Sequence, residues 1–451
     1  MSVDTILKSV IKEITPTAKE RSSEKVLVGE VLSILKTILT AIAPGAEPIV
    51  VGSMAKGTDI RGDKDMDIFI QFPKETPREV LESSGLAIGR MFFDLVKSKP
   101  ELSYAEHPYV KGRFKGFIVE IVPCYRLEHG DSIMSAVDRS PLHTKYVLEH
   151  LVKQPKLKGE VMLLKKFMKA QGLYGAHAAV EGFSGYLCEL LVIRYGSFMD
   201  VIKAAAEWTR NPSLSLTDFP HKEFPDAPMI FIDPVDRNRN VAAAVSTEKL
   251  ARMIYVSESF MFKPSKSFFT VKGPKAMSRS EFKGRLAKRG TELICVSFSA
   301  PELVEDTLVP QIVKSLESLV HACQHAGFRV LKSGHWTDGS KVAMLLEFEV
   351  WELPKVMKKS GPFFDSKVAD MRSFVEANKG KAISGLYIEG DQWAIDVKRE
   401  HRRAEDLIRA QLKDPKGFGR NLRDVKRFAV RVKAEILSIK DKGFWEFMNE
   451  F

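Results

Sequence analysis

Two features within residues 51–72 suggest chemistry on a phosphate. Gly52-Ser53 ends a short apolar run, Glu47-Pro-Ile-Val-Val51, that reads as a strand. Small residues there let the backbone turn and approach a ligand. Met54 to Gly57 then suits a short helix, and Lys56 lies on it. A strand feeding a helix through Gly-Ser offers free N–H groups and a hydroxyl to an anion. About a dozen residues on, Asp65-Met-Asp67 leads into Ile68-Phe-Ile70. Side chains alternate along a strand, so Asp65 and Asp67 leave one face. Carboxylates held side by side repel unless a cation lies between them, and Mg²⁺ shared with a phosphate suits such a pair. The layout predicts metal-assisted phosphoryl or nucleotidyl transfer. A polar edge strand after a plain turn is the ordinary alternative, and the spacing of the two features weighs against it.

The surrounding elements must hold these groups. Leu27, Val31, Ile34, Leu35, Ile38, Leu39 and Ile42 recur at helical spacing over residues 23–43, and Pro44-Gly45 ends that helix. Thr76-Pro-Arg-Glu79 is a capping box with proline at the first helical position, and its helix runs to about Ser98. Leu102–Val110 and Phe114–Val122 read as two strands around a basic turn at residues 111–113. Glu120 falls within Ile118-Val-Glu-Ile-Val122, and an acid in an apolar strand is costly to bury without a partner. A neighbouring strand would set it beside Asp65 and Asp67. Three carboxylates around two divalent cations can clamp the attacking and leaving oxygens of an in-line displacement. An ion pair of Glu120 with Arg113 or Lys115 is the structural alternative.

Gly52-Ser53 followed by Asp65-x-Asp67 and an apolar strand resembles the signature of the DNA polymerase β nucleotidyltransferase superfamily. Further motifs narrow the likeness: Val122-Pro-Cys-Tyr125, Ser135-Ala-Val-Asp-Arg139 with Pro141-Leu-His-Thr144, Gly182-Phe-Ser-Gly-Tyr-Leu-Cys-Glu189, and Asp233-Pro-Val-Asp236 with Arg239-Asn-Val-Ala-Ala243. Together they resemble the archaeal, or class I, CCA-adding tRNA nucleotidyltransferases, with specific motifs over about residues 20–260 and a weaker likeness beyond. The resemblance implies that Asp65, Asp67 and Glu120 are catalytic and bind two Mg²⁺ ions, although aspartate is commoner than glutamate at the place of Glu120. It implies a nucleotide site, for CTP and ATP, that includes Gly52, Ser53 and Lys56. It also implies that His143, Lys165, Tyr174, Ser184 and Tyr186 meet the triphosphate or ribose, and that Arg239 faces the base or the chain end. Lys and His⁺ can neutralise a triphosphate, and Arg presents a planar fork of donors. Each has a plain alternative: a satisfied polar residue, an exposed helix lysine, a loop anchor. The Arg-Arg-Asp tripeptide by which bacterial-type enzymes read the base is absent, with Arg402-Arg-Ala404 the nearest match.

The remaining chain divides by pattern. Residues 140–154, 158–171, 183–206 and 247–260 have helical spacing. Residues 261–290 are basic and broken by Gly and Pro. Then strand 292–299, helix 302–326, strand 328–333, a turn at Asp338-Gly339, strand 342–352, helix 365–378 and strand 386–397 give a β-α-β-β-α-β order. The expected fold is a multidomain α+β chain. It has a polymerase β-like head (1–139), a helical central domain (140–262) and a ferredoxin- or RNA-recognition-like domain with a basic helical tail (263–451). No aromatic signature for base stacking appears on that last sheet. Phe428, Val432, Ile436 and Ile439 would form one face of the tail helix.

Net charge is +11, and residues 398–433 hold thirteen Lys or Arg against five Asp or Glu. That concentration is the footprint of a phosphate backbone. Cys124, Cys188, Cys295 and Cys323 lack metal spacing and read as buried thiols. No run of 18 apolar residues and no signal pattern is present, so a cytoplasmic protein without a membrane partner is expected. The expected reaction is template-free addition of C, C and A to the 3′ end of tRNA. A poly(A) polymerase, an oligoadenylate synthetase, an inactive RNA-binding relative and a small-molecule nucleotidyltransferase stay open at this point, as does a homodimer.

Overall fold

In this computed structural model, residues 2–104, 106–128, 131–217, 223–271, 273 and 275–451 are described. The two N-terminal helices go to different places. In α1 (Val3–Ile14), Ser2 caps the start, and Ile6, Val10 and Ile14 are buried. The next helix, α2 (Ala18–Ile42), begins earlier than its apolar period indicates. There Thr17 and Glu20 form a reciprocal capping box that satisfies the first free amides.

After α2 come β1 (Glu47–Val51), the single turn α3 (Gly52–Lys56), β2 (Asp65–Phe72), α4 (Arg78–Leu95), β3 (Glu101–Tyr104), β4 (Pro108–Phe114) and β5 (Phe117–Tyr125). The sheet order is β1-β2-β5-β4-β3, with β2 and β5 parallel. Met66, Ile68, Ile70 and Phe72 point into a core shared with α2 and α4, among Leu35, Leu81 and Phe92. The alternate residues of β2, Asp65 and Asp67 included, therefore face away from those helices. Reading residues 102–110 as one strand is corrected: β3 and β4 form a hairpin, and Pro108, which cannot donate, sits at a strand start. The expected turn also moves to Lys115-Gly116, where φ is 47° and 84°, the left-handed pair that a tight hairpin requires.

The helical region holds α5 (Arg139–Lys153), α6 (Leu157–Ala170), α7 (Gly185–Tyr195), α8 (Phe198–Ala206), β6 (Ser213–Leu214), β7 (Ile230–Asp233), β8 (Asp236–Asn240) and α9 (Thr247–Phe262). The expected single helix over 183–206 is two. Gly196 turns left-handed at φ 91°, and Ser197 caps the next start. A second core joins α6 to α9 around Phe167, Phe198 and Phe260. Ile6, Val10 and Ile14 of α1 belong to this core, not to the head with which the sequence groups them.

Residues Met1–Lys272 make one compact unit and Gly273–Phe451 another. The second contains α10 (Arg279–Arg289), β9 (Glu292–Ser299), α11 (Glu305–His325), β10 (Arg329–Thr337), β11 (Lys341–Val350), β12 (Val356–Phe363), α12 (Val368–Asn378), β13 (Tyr387–Glu389), β14 (Gln392–Lys398), α13 (Ala404–Gln411), β15 (Ala429–Val432) and α14 (Lys442–Glu450). The antiparallel order β10-β11-β9-β15 is ferredoxin-like, but its fourth strand is β15. Residues 386–397 hold instead β13 and β14, and β14 pairs with both β13 and β12 in a separate three-stranded sheet. The second helix of the pattern is α13, whose Leu407 and Ile408 share a core with Ile312 and Leu316 of α11. The expected tail helix through Phe428 and Val432 is corrected in the same way. Alternating Val430 and Val432 suit a strand, and β9 has an edge to receive them. The four cysteines are buried and free. Among the described residues, no helix is long and apolar enough to cross a membrane.

Replacing Ile6, 3% exposed, by alanine should cost about 2–5 kcal/mol. The loss should appear in the urea transition of the first unit, because α1 packs in its helical core.

Candidate active site

The site begins where β1 stops. Gly52 has φ 73°, and a Cβ placed there would lie 1.9 Å from Asp67 Oδ2. Only glycine brings α3 this close to that carboxylate. Gly52 N–H donates to Thr144 Oγ1 of α5 at 3.4 Å, and Ser53 follows, partly buried. On the parallel strands, Asp67 lies opposite Glu120 and Asp65 opposite Ile118. The head thus gathers Gly52, Asp65, Asp67 and Glu120, as the sequence predicts.

Their electrostatics are those of an unneutralised cluster. Burial, then Glu120 and Asp65, push the Asp67 carboxyl up to about 7, against Lys56 and Lys165. Burial and the nearby Asp63 raise Asp65, with Lys169 opposing. Burial also raises Glu120, while Lys111 counters and Asp65 adds to the shift. Among the described residues, no three His, Cys, Asp or Glu side chains close on one point as a complete metal cage. The set fits an ion of the Mg²⁺ kind, which takes one or two carboxylates and fills its shell with water and phosphate oxygens.

Behind this cluster lies a residue to which the sequence gives no role. Glu189 of α7 is fully buried. It accepts from Lys56 Nζ at 2.5 Å, from Thr58 Oγ1 at 2.7 Å and from Lys165 Nζ at 3.1 Å. Burial alone would raise its carboxyl, but Lys165 and Lys56 outweigh that and hold it at about 2. Lys165 also donates to Thr58 O and Oγ1 at 3.3 and 3.1 Å, so its three N–H groups each have an acceptor. Lys56 and Lys165, the expected phosphate ligands, stand here as partners of one carboxylate. They are 6% and 2% exposed, and their ammonium groups turn to Glu189.

A second carboxylate, Asp233 at the end of β7, gathers three of the predicted residues. His143 Nε2 lies 2.8 Å from its Oδ2, and Arg239 Nη1 donates to the same oxygen at 2.7 Å. Tyr186 Oη donates to Oδ1 at 3.2 Å, and its ring stacks on His143 at 3.8 Å. Burial lowers the His143 pKa more than Asp233 raises it. The balance favours the neutral imidazole in this arrangement. Ser184 spends its oxygen capping α7, accepting from Leu187 N–H at 3.1 Å. Tyr174 lies beside it. A Cβ on Gly185 would come within 2.8 Å of the Tyr174 hydroxyl, and Lys169 Nζ is 5.0 Å from the ring centre. Tyr186 and Glu189, three apart on α7, share a helix face. The signal for Glu189 and Asp233 was present in the sequence: each is an acid within an apolar run, the same anomaly that marks Glu120.

Residues 32–143 match the family model described as nucleotidyltransferase domain. Head and site together thus define a nucleotidyltransferase. Residues 159–270 match the tRNA nucleotidyltransferase second domain, and residues 289–433 the CCA-adding enzyme C-terminal domain. A CCA-adding enzyme of Methanothermobacter thermautotrophicus is 36% identical over 98% of this chain and 97% of its own length. One of Thermococcus gammatolerans is 36% identical over 95% and 94%, and one of Haloarcula marismortui 33% over 98% and 96%. The chain belongs to the CCA-adding enzyme family.

Gly52→Ala forces a side chain into Asp67. Nucleotide incorporation should fall about a hundredfold with the fold intact by circular dichroism.

Proposed function

We propose that the protein adds C, C and A to the 3′ end of tRNA from CTP and ATP, without a template. The carrying observation is the register of Asp67 against Glu120, with Asp65 two residues away, in a chain similar to CCA-adding enzymes along its length. Asp65, Asp67 and Glu120 would hold Mg²⁺. Bound there, divalent ions lower the pKa of the attacking 3′-hydroxyl and stabilise the departing pyrophosphate. The bond formed joins that oxygen to the α-phosphorus, and the bond to pyrophosphate breaks. Gly52 admits the α3 backbone to the phosphates, and Ser53 offers its hydroxyl. Arg239, aimed by Asp233, presents its free N–H groups to the base. His143, Tyr174, Ser184 and Tyr186 would line the sugar and phosphates. The basic run of 398–433 supplies charge for the tRNA backbone. The cytoplasm, where tRNA is used, is the proposed location.

Incubating tRNA that lacks its 3′ end with labelled CTP, ATP and Mg²⁺ tests this reading. Addition of C, C and A, reduced by about a thousandfold or more in Asp67→Ala, is the expected result. A growing adenylate tail would mark a poly(A) polymerase instead.

The raised Asp67 carboxyl gives a second expectation. Its folded pKa of about 7 exceeds the ordinary 3.8, so the folded state binds that proton more tightly than the unfolded state. Stability is lost as pH rises from about 4 to about 7, and the full penalty stands above that window. In metal-free buffer at about pH 8, Asp67→Asn should melt above wild type, and the gap should close near about pH 4. Calorimetry at both pH values, with and without Mg²⁺, reads this directly.

A further inference from the structure

The catalytic face of the head sheet carries positive charge that no contact within the chain takes up. Its side chains form rows across the strands. Asp67, Glu120 and Lys111 make one row, which Glu101 of β3 ends. Asp65, Ile118 and Arg113 make the next. On the other side of the first row, Phe69 and Val122 pack with Val137 and are covered. Burial falls away from there, so that Lys111 is half-buried and Asp65 and Arg113 are exposed. The sequence offers Arg113 or Lys115 as an ion partner for Glu120. Arg113 lies instead opposite Ile118, and Lys115 pairs with Glu30. Lys111 is the cation in register with Glu120. Among the described residues, neither its side chain nor that of Arg113 has a hydrogen bond or an ion pair.

An in-line displacement puts the attacking oxygen and the leaving group on opposite sides of the phosphorus. The turn Gly52-Ser53 follows β1, which borders β2 on the side away from β5. With pyrophosphate leaving toward that turn, the 3′-hydroxyl arrives from the other side, over β5 and β4. We propose that Lys111 and Arg113 bind phosphates of the acceptor RNA just upstream of its 3′-hydroxyl and so position that hydroxyl. Both are positioning residues for the attacking strand, set apart from the turn that meets the nucleotide. Neighbouring strands are about 4.8 Å apart, so Lys111 stands one strand beyond Glu120. Glu101, across from Lys111, opposes this hold on a phosphate. The inference rests on the nucleotidyltransferase reading above.

The test compares wild type with Lys111→Met and Arg113→Met, using an RNA hairpin that ends in the trimmed 3′ end of tRNA. In each variant the KM for the hairpin should rise about tenfold. The kcat at saturating hairpin and the KM for ATP should hold, because the lost contact is made equally before and during the reaction. Fluorescence anisotropy of the labelled hairpin, without nucleotide, should weaken in step. The slope of log affinity against log salt should shrink by about one for each residue replaced. Glu101→Gln should tighten the hairpin. A Lys111 that serves only as counter-ion to Glu120 would change Mg²⁺ affinity in calorimetric titration and leave hairpin binding alone. That result, with Arg113→Met at wild-type values, would overturn the inference. A raised KM for ATP with the hairpin KM unmoved would overturn it too. Should Lys111→Met fail to fold, Arg113→Met carries the test, since the residue opposite it is Ile118 and not a carboxylate. Wild-type protein that binds the hairpin and adds nothing to it would overturn the nucleotidyltransferase reading. Wild-type addition with hairpin affinity unchanged in both variants would overturn this inference alone.

Discussion

The buried carboxylate of Glu189 is the contact on which the geometry of the first unit depends. It reaches from α7 to Lys56 and Thr58, which flank the end of α3, and to Lys165 on α6. An unpaired carboxylate at that depth would be expensive. With three donors it stays ionised, and removing any one partner leaves the others uncompensated. Asp233 repeats the device about one turn earlier on the same face of α7, where it ties β7 to His143 of α5, Tyr186 of α7 and Arg239 of β8. Both acids come from the helical region, and the partners of Glu189 set how α3 stands against it.

The acids of this unit fall into two groups. Glu189 and Asp233 have donors in hand, and their carboxyls lie below the ordinary range. Asp65, Asp67 and Glu120 face one another, and theirs lie above it. Environments that push like groups apart in this way separate roles. The satisfied acids hold structure. The other three lie close to one another, and Gly52 keeps a side chain out of the space beside Asp67.

What the sequence reveals follows the range of the interaction. Asp65 and Asp67 are two apart on a strand, so their shared face is local information. Glu120 is legible because a charge within Ile118–Val122 is out of place, and the parallel pairing of β2 and β5 sets it beside Asp67. Glu189 is out of place in the same way, but Lys56 is 133 residues away, and no periodicity says which helix face meets which turn. His143 and Asp233, 90 residues apart, are alike in this. In the second unit the β-α-β-β beginning is readable from alternation and turns. The choice of β15 over residues 386–397 as fourth strand is not readable. It depends on which segment reaches the free edge of β9, after β12 and β14 have paired with each other.

One feature of the fold bears on how the protein is made. The buried stripe of α1 rests on α6 and on the short helical turn Lys266–Phe269, and Lys266 reaches back to Ser9 and Glu13. That turn is synthesised about 250 residues after α1. At roughly ten residues per second, α1 spends on the order of half a minute outside the ribosome before its site is complete. Twelve residues make a marginal helix alone. Meanwhile α2, only a few residues downstream, can already pack with the head sheet. The segment Thr15–Thr17 between them then works as a tether, keeping an unplaced apolar helix near the gap it will fill. Docking of α1 therefore waits on the synthesis of the turn Lys266–Phe269.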